Sequence, residues 1–352
     1  MTRFPDTHFD ALLVVSFGGP EGSADVLPFL ENVTRGRGVP RERLEEVARH
    51  YERFDGVSPL NEQNRTLIAA LEPVLAARAI ELPIYFGNRN WHPMLADAVR
   101  EMIADGVERA LALFTTAYSS YSSCRQYREN IYDAQTECGD SSPEILKIRP
   151  FYNHPGFVSA NAARLAAALA RLPSERRSAA RVVFTAHSIP TAMAEGCRYV
   201  AQLEEAARLV AEEVGHSNFE LAYQSRSGSP RTPWLEPDVC ERLRQLAAAG
   251  TTDVVLSPIG FISDHIEVLF DLDVEAREVA DELGLTLERA ESVGTHPAFV
   301  DAVADLVEER VTPGRDRAGT GAHGPALDGC GPTCCLPGTG RESPWSAATS
   351  AS

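Results

Sequence analysis

Short apolar runs punctuate the chain: ALLVVSF (11–17), LPIYFG (82–87), ALALFTT (110–116), RVVFTA (181–186), FELAYQ (219–224) and DVVLSP (253–258). Each is continuous rather than alternating, the pattern of a strand buried on both faces. Between them apolar positions take helical spacing, as in MLADAVREMIADG (94–106) and VAQLEEAARLVAEEVG (200–215), the latter closing on Gly215 as a cap. This alternation predicts an α/β fold with parallel sheets. The pattern restarts after HPGF, so a first α/β domain is expected over 1–156 and a second over 157–295, with a closing helix at 296–311. No sequence repeat relates the halves. From Thr312 to Ser352 the chain is rich in Gly, Pro, Ser and Thr, which cannot build a core, so a linker carrying a cysteine cluster is expected.

Polar residues gather just past the strand ends, in SFGGPEG, FGNRNWHP, TTAYSSYSSC, TAHSIP, YQSRSGSP and SPIGFISDHIE. In open α/β sheets ligands bind beyond the carboxyl ends of the strands. His187 in TAHSIP follows a buried strand, where a neutral imidazole can take a proton or bind a metal near pH 7. ISDHIEVLFDLD (262–273) sets Asp264, Glu267 and Asp271 at i, i+3, i+7, a separate face from the apolar Ile266, Leu269 and Phe270. A solvated helix face is the plain reading. A divalent cation is the sharper one, because crowded carboxylates raise one another's pKa unless a cation neutralises them. SFGGPEG lacks both GxGxxG and the P-loop GK[ST], so it reads as a tight turn rather than a phosphate cradle.

Composition narrows the partners. With 33 basic and 50 acidic side chains the net charge is −17, which argues against a nucleic-acid backbone. Within this acidic chain, Arg35, Arg37, Arg41 and Arg43 crowd into NVTRGRGVPRER (32–43), either an exposed basic loop or a site for carboxylates. No run approaches the roughly 20 apolar residues of a membrane span, and Ala11–Phe17 lacks a signal-peptide layout, so a cytoplasmic address is expected. CGPTCC (330–335) puts three thiols within six residues, one short of a four-thiolate metal site.

In order along the chain, SFGGPE, GVSPLN (56–61), FGNRNWHP, TAHSIP, YQSRSGSPRTPWLEP and PIGFISDHIEVLFDLD resemble the motifs of the ferrochelatase family, to about residue 310. The resemblance implies two Rossmann-like, chelatase-type domains with parallel sheets flanking a porphyrin cleft. It implies an enzyme that inserts Fe(II), as a substrate, into a porphyrin. His187 matches the family's active-site histidine and Glu267 the carboxylate opposite it, both at the iron, while Asp271 falls one turn further along the metal's path. Ser58, Arg89 and Tyr127 match porphyrin contacts, and Arg35 resembles the basic residue near the propionates. Phe17 stands where many bacterial relatives carry a tyrosine near the metal, and Tyr223 where some carry the tryptophan of a WQS motif.

The chain looks most like the actinobacterial branch, which makes coprohaem from coproporphyrin III in haem biosynthesis. The polar, basic segment PFLENVTRGRGVPRERL (28–44) suits that soluble tetra-carboxylate better than protoporphyrin IX. Rival readings are a cobalt or nickel tetrapyrrole chelatase, a haem or iron carrier, and an iron–sulfur sensor acting through residues 312–352. The branch implies a 2Fe–2S cluster on Cys330, Cys334 and Cys335, with Cys124 as fourth ligand and Cys138 as runner-up, in a structural or sensing role. The expected partners are coproporphyrin III and Fe(II), with no nucleic acid and no integral membrane. A monomer is expected, with transient contacts to other haem-pathway enzymes.

Overall fold

The computed structural model describes residues 7–227, 231–331 and 333–338. Gly228–Pro230 of the YQSRSGSPRTPWLEP motif, Pro332 of CGPTCC and the stretch beyond Gly338 lie outside them. Among the described residues the strands are β1 (Ala11–Ser16), β2 (Ile84–Asn88), β3 (Arg109–Phe114), β4 (Glu144–Lys147), β5 (Arg181–His187), β6 (Phe219–Gln224), β7 (Asp253–Ser257) and β8 (Thr286–Arg289). They form two four-stranded sheets, ordered β2-β1-β3-β4 and β6-β5-β7-β8, and every pairing is parallel.

The two sheets thus follow the same path although no sequence repeat links them. In each, the first strand lies inside the sheet: Val14 faces Phe86 and Leu113, and Phe184 faces Leu221 and Ser257. All six residues of β1 and of β3 are buried, as a continuous apolar run demands. β4 (EILK) and β8 (TLER) carry no such run. They are four-residue edge strands with charged ends, a common protection against edge-to-edge pairing, and so escape a hydrophobicity reading.

The described residues divide into two compact units. One holds the chain up to Thr115, Tyr127–Ile148 and Ala304–Asp316; the other holds Thr116–Gln126, Arg149–Val303 and the chain from Arg317 onward. In the first unit, Leu13, Val15, Ala112 and Phe114 pack with Val99, Met102 and Ile131 of flanking helices. In the second, Val183, Val254 and Leu256 pack with Leu243, Leu246, Leu272 and Val279. Helix ends follow their sequence signals. The side chain of Asp238 accepts bonds from the Cys240 and Glu241 amides, and Gly215 closes Tyr199–Val214 at φ 72°. None of the described helices is long and apolar enough to cross a membrane.

The tail departs from the linker expected beyond Thr312. Buried Arg149 donates to the Ala318 carbonyl, and buried Asn153 donates to the carbonyls of Thr320 (2.9 Å) and Gly324 (2.7 Å). Buried Glu205 accepts from the amides of Ala322 and His323. Fully buried Arg125 donates to the Cys334 carbonyl at 2.9 Å. Gly/Pro-rich composition forbids a core of the tail's own, but it does not prevent docking onto polar sockets built elsewhere. Ending the chain at Thr312 would leave those sockets without these partners, at about 1–3 kcal/mol each. The expected result is a melting temperature lower by roughly 5–10 °C in a thermal scan. An unchanged melting temperature would restore the linker reading.

Candidate active site

β5 delivers His187 at its carboxyl end. The Tyr199 hydroxyl donates to the His187 carbonyl (3.0 Å), and the Ser188 amide donates to the Gln224 carbonyl (2.8 Å), which fixes the turn. His187 Nδ1 lies within hydrogen-bond distance of the Ser188 carbonyl oxygen, which can only accept. Nδ1 therefore carries the hydrogen, and in the neutral ring Nε2 keeps its lone pair. That Nε2 lies 3.7 Å from Glu267 Oε2. Gly260 permits the approach of the loop after β7, because a Cβ there would stand 2.6 Å from the Ala186 Cβ.

The acidic segment is not the uniform α-helix that the 264/267/271 spacing predicts. A three-residue α-turn, Ile266–Val268, runs into a π-helix, Leu269–Glu275, before α-geometry resumes at Ala276–Leu283. π-Helical turns inside α-helices recur at functional sites. His265 caps the start, its Nδ1 accepting from the Glu267 amide at 3.2 Å, and burial holds its pKa below the ordinary histidine range. Asp264 precedes the helix and turns away to Arg289 (3.2 Å), which also binds Asp273 (2.6 Å).

Asp271 accepts from the Ser225 hydroxyl and from Gln224 Nε2 (3.3 Å). Burial pushes its pKa up to about 7, and repulsion from Glu267 and Glu275 adds to this, while its two side-chain hydrogen bonds oppose the rise. The electrostatic row is therefore Glu267–Asp271–Glu275, and Glu275 is a member lying just beyond the 262–273 stretch. Ser225 sits at φ 60°, a left-handed conformation uncommon outside glycine and frequent near working sites. Tyr223, two residues back on β6, is buried, and burial pushes its hydroxyl up to about 12; Gln224 and Ser225 carry the polar contact to Asp271.

Three expected porphyrin contacts meet in the first unit. The Arg89 guanidinium lies 4.5 Å from the Tyr127 ring centroid and 5.6 Å from that of Phe17, within cation–π range. Its Nε donates to Asn130 Oδ1 at 2.7 Å. Buried Ser58 is held by its amide on the Pro20 carbonyl (2.8 Å), and Gly18 turns at φ 85° against Asn88. Beneath that turn Asn88 donates to Asn61 Oδ1 (3.0 Å), and Asn61 in turn donates to the Gly19 and His92 carbonyls. Arg35 is exposed just past helix Ser23–Val33. Arg41 pairs with Glu31 and Glu45, and Arg43 with Glu46.

Among the described residues the thiols gather only in part. Cys334 and Cys335 place their sulfurs 3.4 Å apart, and burial raises the Cys335 thiol, with contributions from Cys334, Cys197 and Cys330. Cys124 is buried on the π-helical turn Tyr121–Arg125. Cys138 lies in the first unit, its sulfur 3.5 Å from the Ala96 carbonyl. Among the described residues no group of three or more His, Cys, Asp or Glu is placed to hold a metal. Cys197, beside the tail thiols, is a neighbour the spacing did not reveal.

Two parallel sheets with a histidine and carboxylates past their strand ends make this a chelatase-type fold. It is shared with SirB from Bacillus subtilis, solved with Fe3+, at 14% identity and TM-score 0.54, covering 87% of this chain and 96% of that one. At such identity the likeness shows the fold alone. The chain belongs to the ferrochelatase family, whose model matches residues 9–311. It is 52% identical over 332 residues to a ferrochelatase of Rhodopirellula baltica, covering 93% of each chain. It is 50% identical over 349 residues to the coproporphyrin III ferrochelatase of Streptomyces coelicolor, again 93% of each. With that of Mycolicibacterium smegmatis it shares 48% over 336 residues, 93% of this chain and 99% of that one.

Asp271 makes the site pH-sensitive in a defined direction. Its pKa rises from 3.8 to about 7 on folding, so between those values the folded chain holds a proton that the unfolded chain has released. Its contribution to stability therefore declines as pH rises from about 4 through 7. An Asp271→Asn variant, which cannot ionise, should gain on the native protein in thermal melts between pH 5 and pH 8. A difference that stays flat across that range would contradict the assignment.

Proposed function

We propose that this protein inserts Fe(II) into coproporphyrin III to give coprohaem, a step of haem biosynthesis. The observation that carries the metal-insertion reading is the pairing of His187 Nε2 with Glu267 Oε2 at 3.7 Å, a lone pair and a carboxylate at one strand end. Insertion displaces two pyrrole N–H protons as Fe(II) enters, leaving a neutral ring–metal core. His187 accepts one pyrrole proton through Nε2, its orientation held by the Nδ1–H bond to Ser188, and the other proton passes to solvent water. Glu267 and Asp271 carry the metal and strip its waters, oxygen donors suited to a hard, part-hydrated divalent ion. Distortion of the bound ring turns nitrogen lone pairs out of plane, a use of binding energy toward the transition state.

The choice of porphyrin is supported by relatives of about half-identical sequence named coproporphyrin III ferrochelatase and by the exposed basic segment that includes Arg35. Ser58, Arg89, Tyr127, Phe17 and Tyr223 are assigned to porphyrin binding, and the stacking of Arg89 on Tyr127 supports the assignment of that pair. The reaction is assigned no step through an iron–sulfur cluster, and the tail thiols are given a structural role. We assign the protein to the cytoplasm as a monomer.

Anaerobic protein given Fe(II) and coproporphyrin III should show the metalloporphyrin spectrum over many turnovers, and turn over protoporphyrin IX more slowly. A preference for protoporphyrin would overturn the substrate assignment, and a single stoichiometric event would indicate a carrier. His187→Ala should lower the insertion rate by about 100-fold or more while porphyrin binding, followed by fluorescence, changes only a few-fold. Native-rate insertion by that variant would remove His187 from the mechanism.

A further inference from the structure

Five carboxylates occupy residues 264–275, and one guanidinium sorts them. Arg289, the last residue of β8, donates through Nε to Asp273 Oδ1 at 2.6 Å and through Nη1 to Asp264 Oδ1 at 3.2 Å. The same Nη1 reaches the Ala290 carbonyl at 3.2 Å, and the Ala290 amide is bonded to the Leu256 carbonyl of β7 at 2.8 Å. We infer that Arg289 is a positioning residue for metal delivery: it ties the acids on either side of Glu267 and Asp271 to the sheet, and so fixes the π-helical turn on which those two are carried.

The inference rests on the proposed iron insertion and deepens it. Asp264 lies just before the helix and Asp273 inside the π-helix, so the clamp brackets both metal-bearing positions. π-Helical hydrogen bonding is rare and short-lived along a chain, and a turn of that kind needs support from outside. Arg289 supplies it from a strand, with its side chain only 14% exposed. The division of labour is chemical. Asp264 and Asp273 share the guanidinium, whereas Glu267 faces His187 and Asp271 accepts from Ser225 and Gln224. A lysine cannot substitute, because two edges of the planar fork serve two carboxylates and an ammonium is a single point.

The test compares native protein with Arg289→Lys and Asp273→Asn, measuring the KM for Fe(II) and for coproporphyrin III separately, anaerobic Fe(II) binding by calorimetry without porphyrin, and thermal stability. Both variants should raise the KM for Fe(II) about 10-fold and weaken Fe(II) binding alike, since misplacement of reacting groups by about 1 Å is enough for such losses. The KM for coproporphyrin should stay within about twofold. Wild-type values for Fe(II) with only a lower melting temperature would reduce Arg289 to a structural brace, and equal rises for both substrates would likewise overturn the inference. If Arg289→Lys does not fold, Asp273→Asn carries the test alone. If native protein fails to metallate coproporphyrin, the proposed function falls, and Fe(II) binding still decides the role of Arg289.

Discussion

Carboxylates packed along twelve residues push one another apart, and the second unit is arranged around containing that push. Each acid has its own answer. Asp264 and Asp273 share Arg289, Asp271 accepts from Ser225 and Gln224, and Glu267 faces His187 and has its amide held by His265. The partners come from β5, β6 and β8, so the repulsion of one segment is absorbed by a whole sheet. Asp271 stays raised mainly because it is buried, with Glu267 and Glu275 adding to the rise.

The same sheet explains the histidine. A parallel sheet gathers its strand carboxyl ends on one edge, so β5 and β7 deliver His187 and the loop to Glu267 there from positions some 80 residues apart. The first sheet has the same order, and its edge collects Phe17, Arg89 and the asparagines beneath the glycine turn. Two copies of one topology have thus diverged in chemistry, one toward aromatic and cationic groups, the other toward titratable ones.

What could be read from sequence follows from how far each interaction reaches. Six strands were legible because each carries an apolar run, continuous and buried in β1, β3 and β7 and partly buried in the edge strands β2 and β6. β4 and β8 were not, because each has only four residues and carries charge where a core strand has valine. His187, Glu267 and Asp271 stood out by residue type and position after strands. Arg289 did not: its partners are 16 and 25 residues away, and nothing local distinguishes it from the other arginines. The π-helix has no spacing signature of its own, so α-helical periodicity put Asp264 on the acidic face, and Glu275 lay just beyond the ISDHIEVLFDLD stretch. For the cysteines, spacing counted thiols within CGPTCC but could not say that Cys197 lies near them or that Cys335 is buried.

The docking of the tail has a consequence for how this protein can change over time. Arg125, Arg149 and Asn153 grip peptide carbonyls, and Glu205 grips peptide amides. Every residue has these groups, so the sockets read the path of the chain and are nearly blind to its letters. Particular side chains add to the hold: Gly321 turns at φ 82°, His323 pairs with Glu205 at 3.2 Å, and Asp328 pairs with Arg317. The path of the tail is thereby set by four buried residues of the folded unit, acting on groups that every peptide carries.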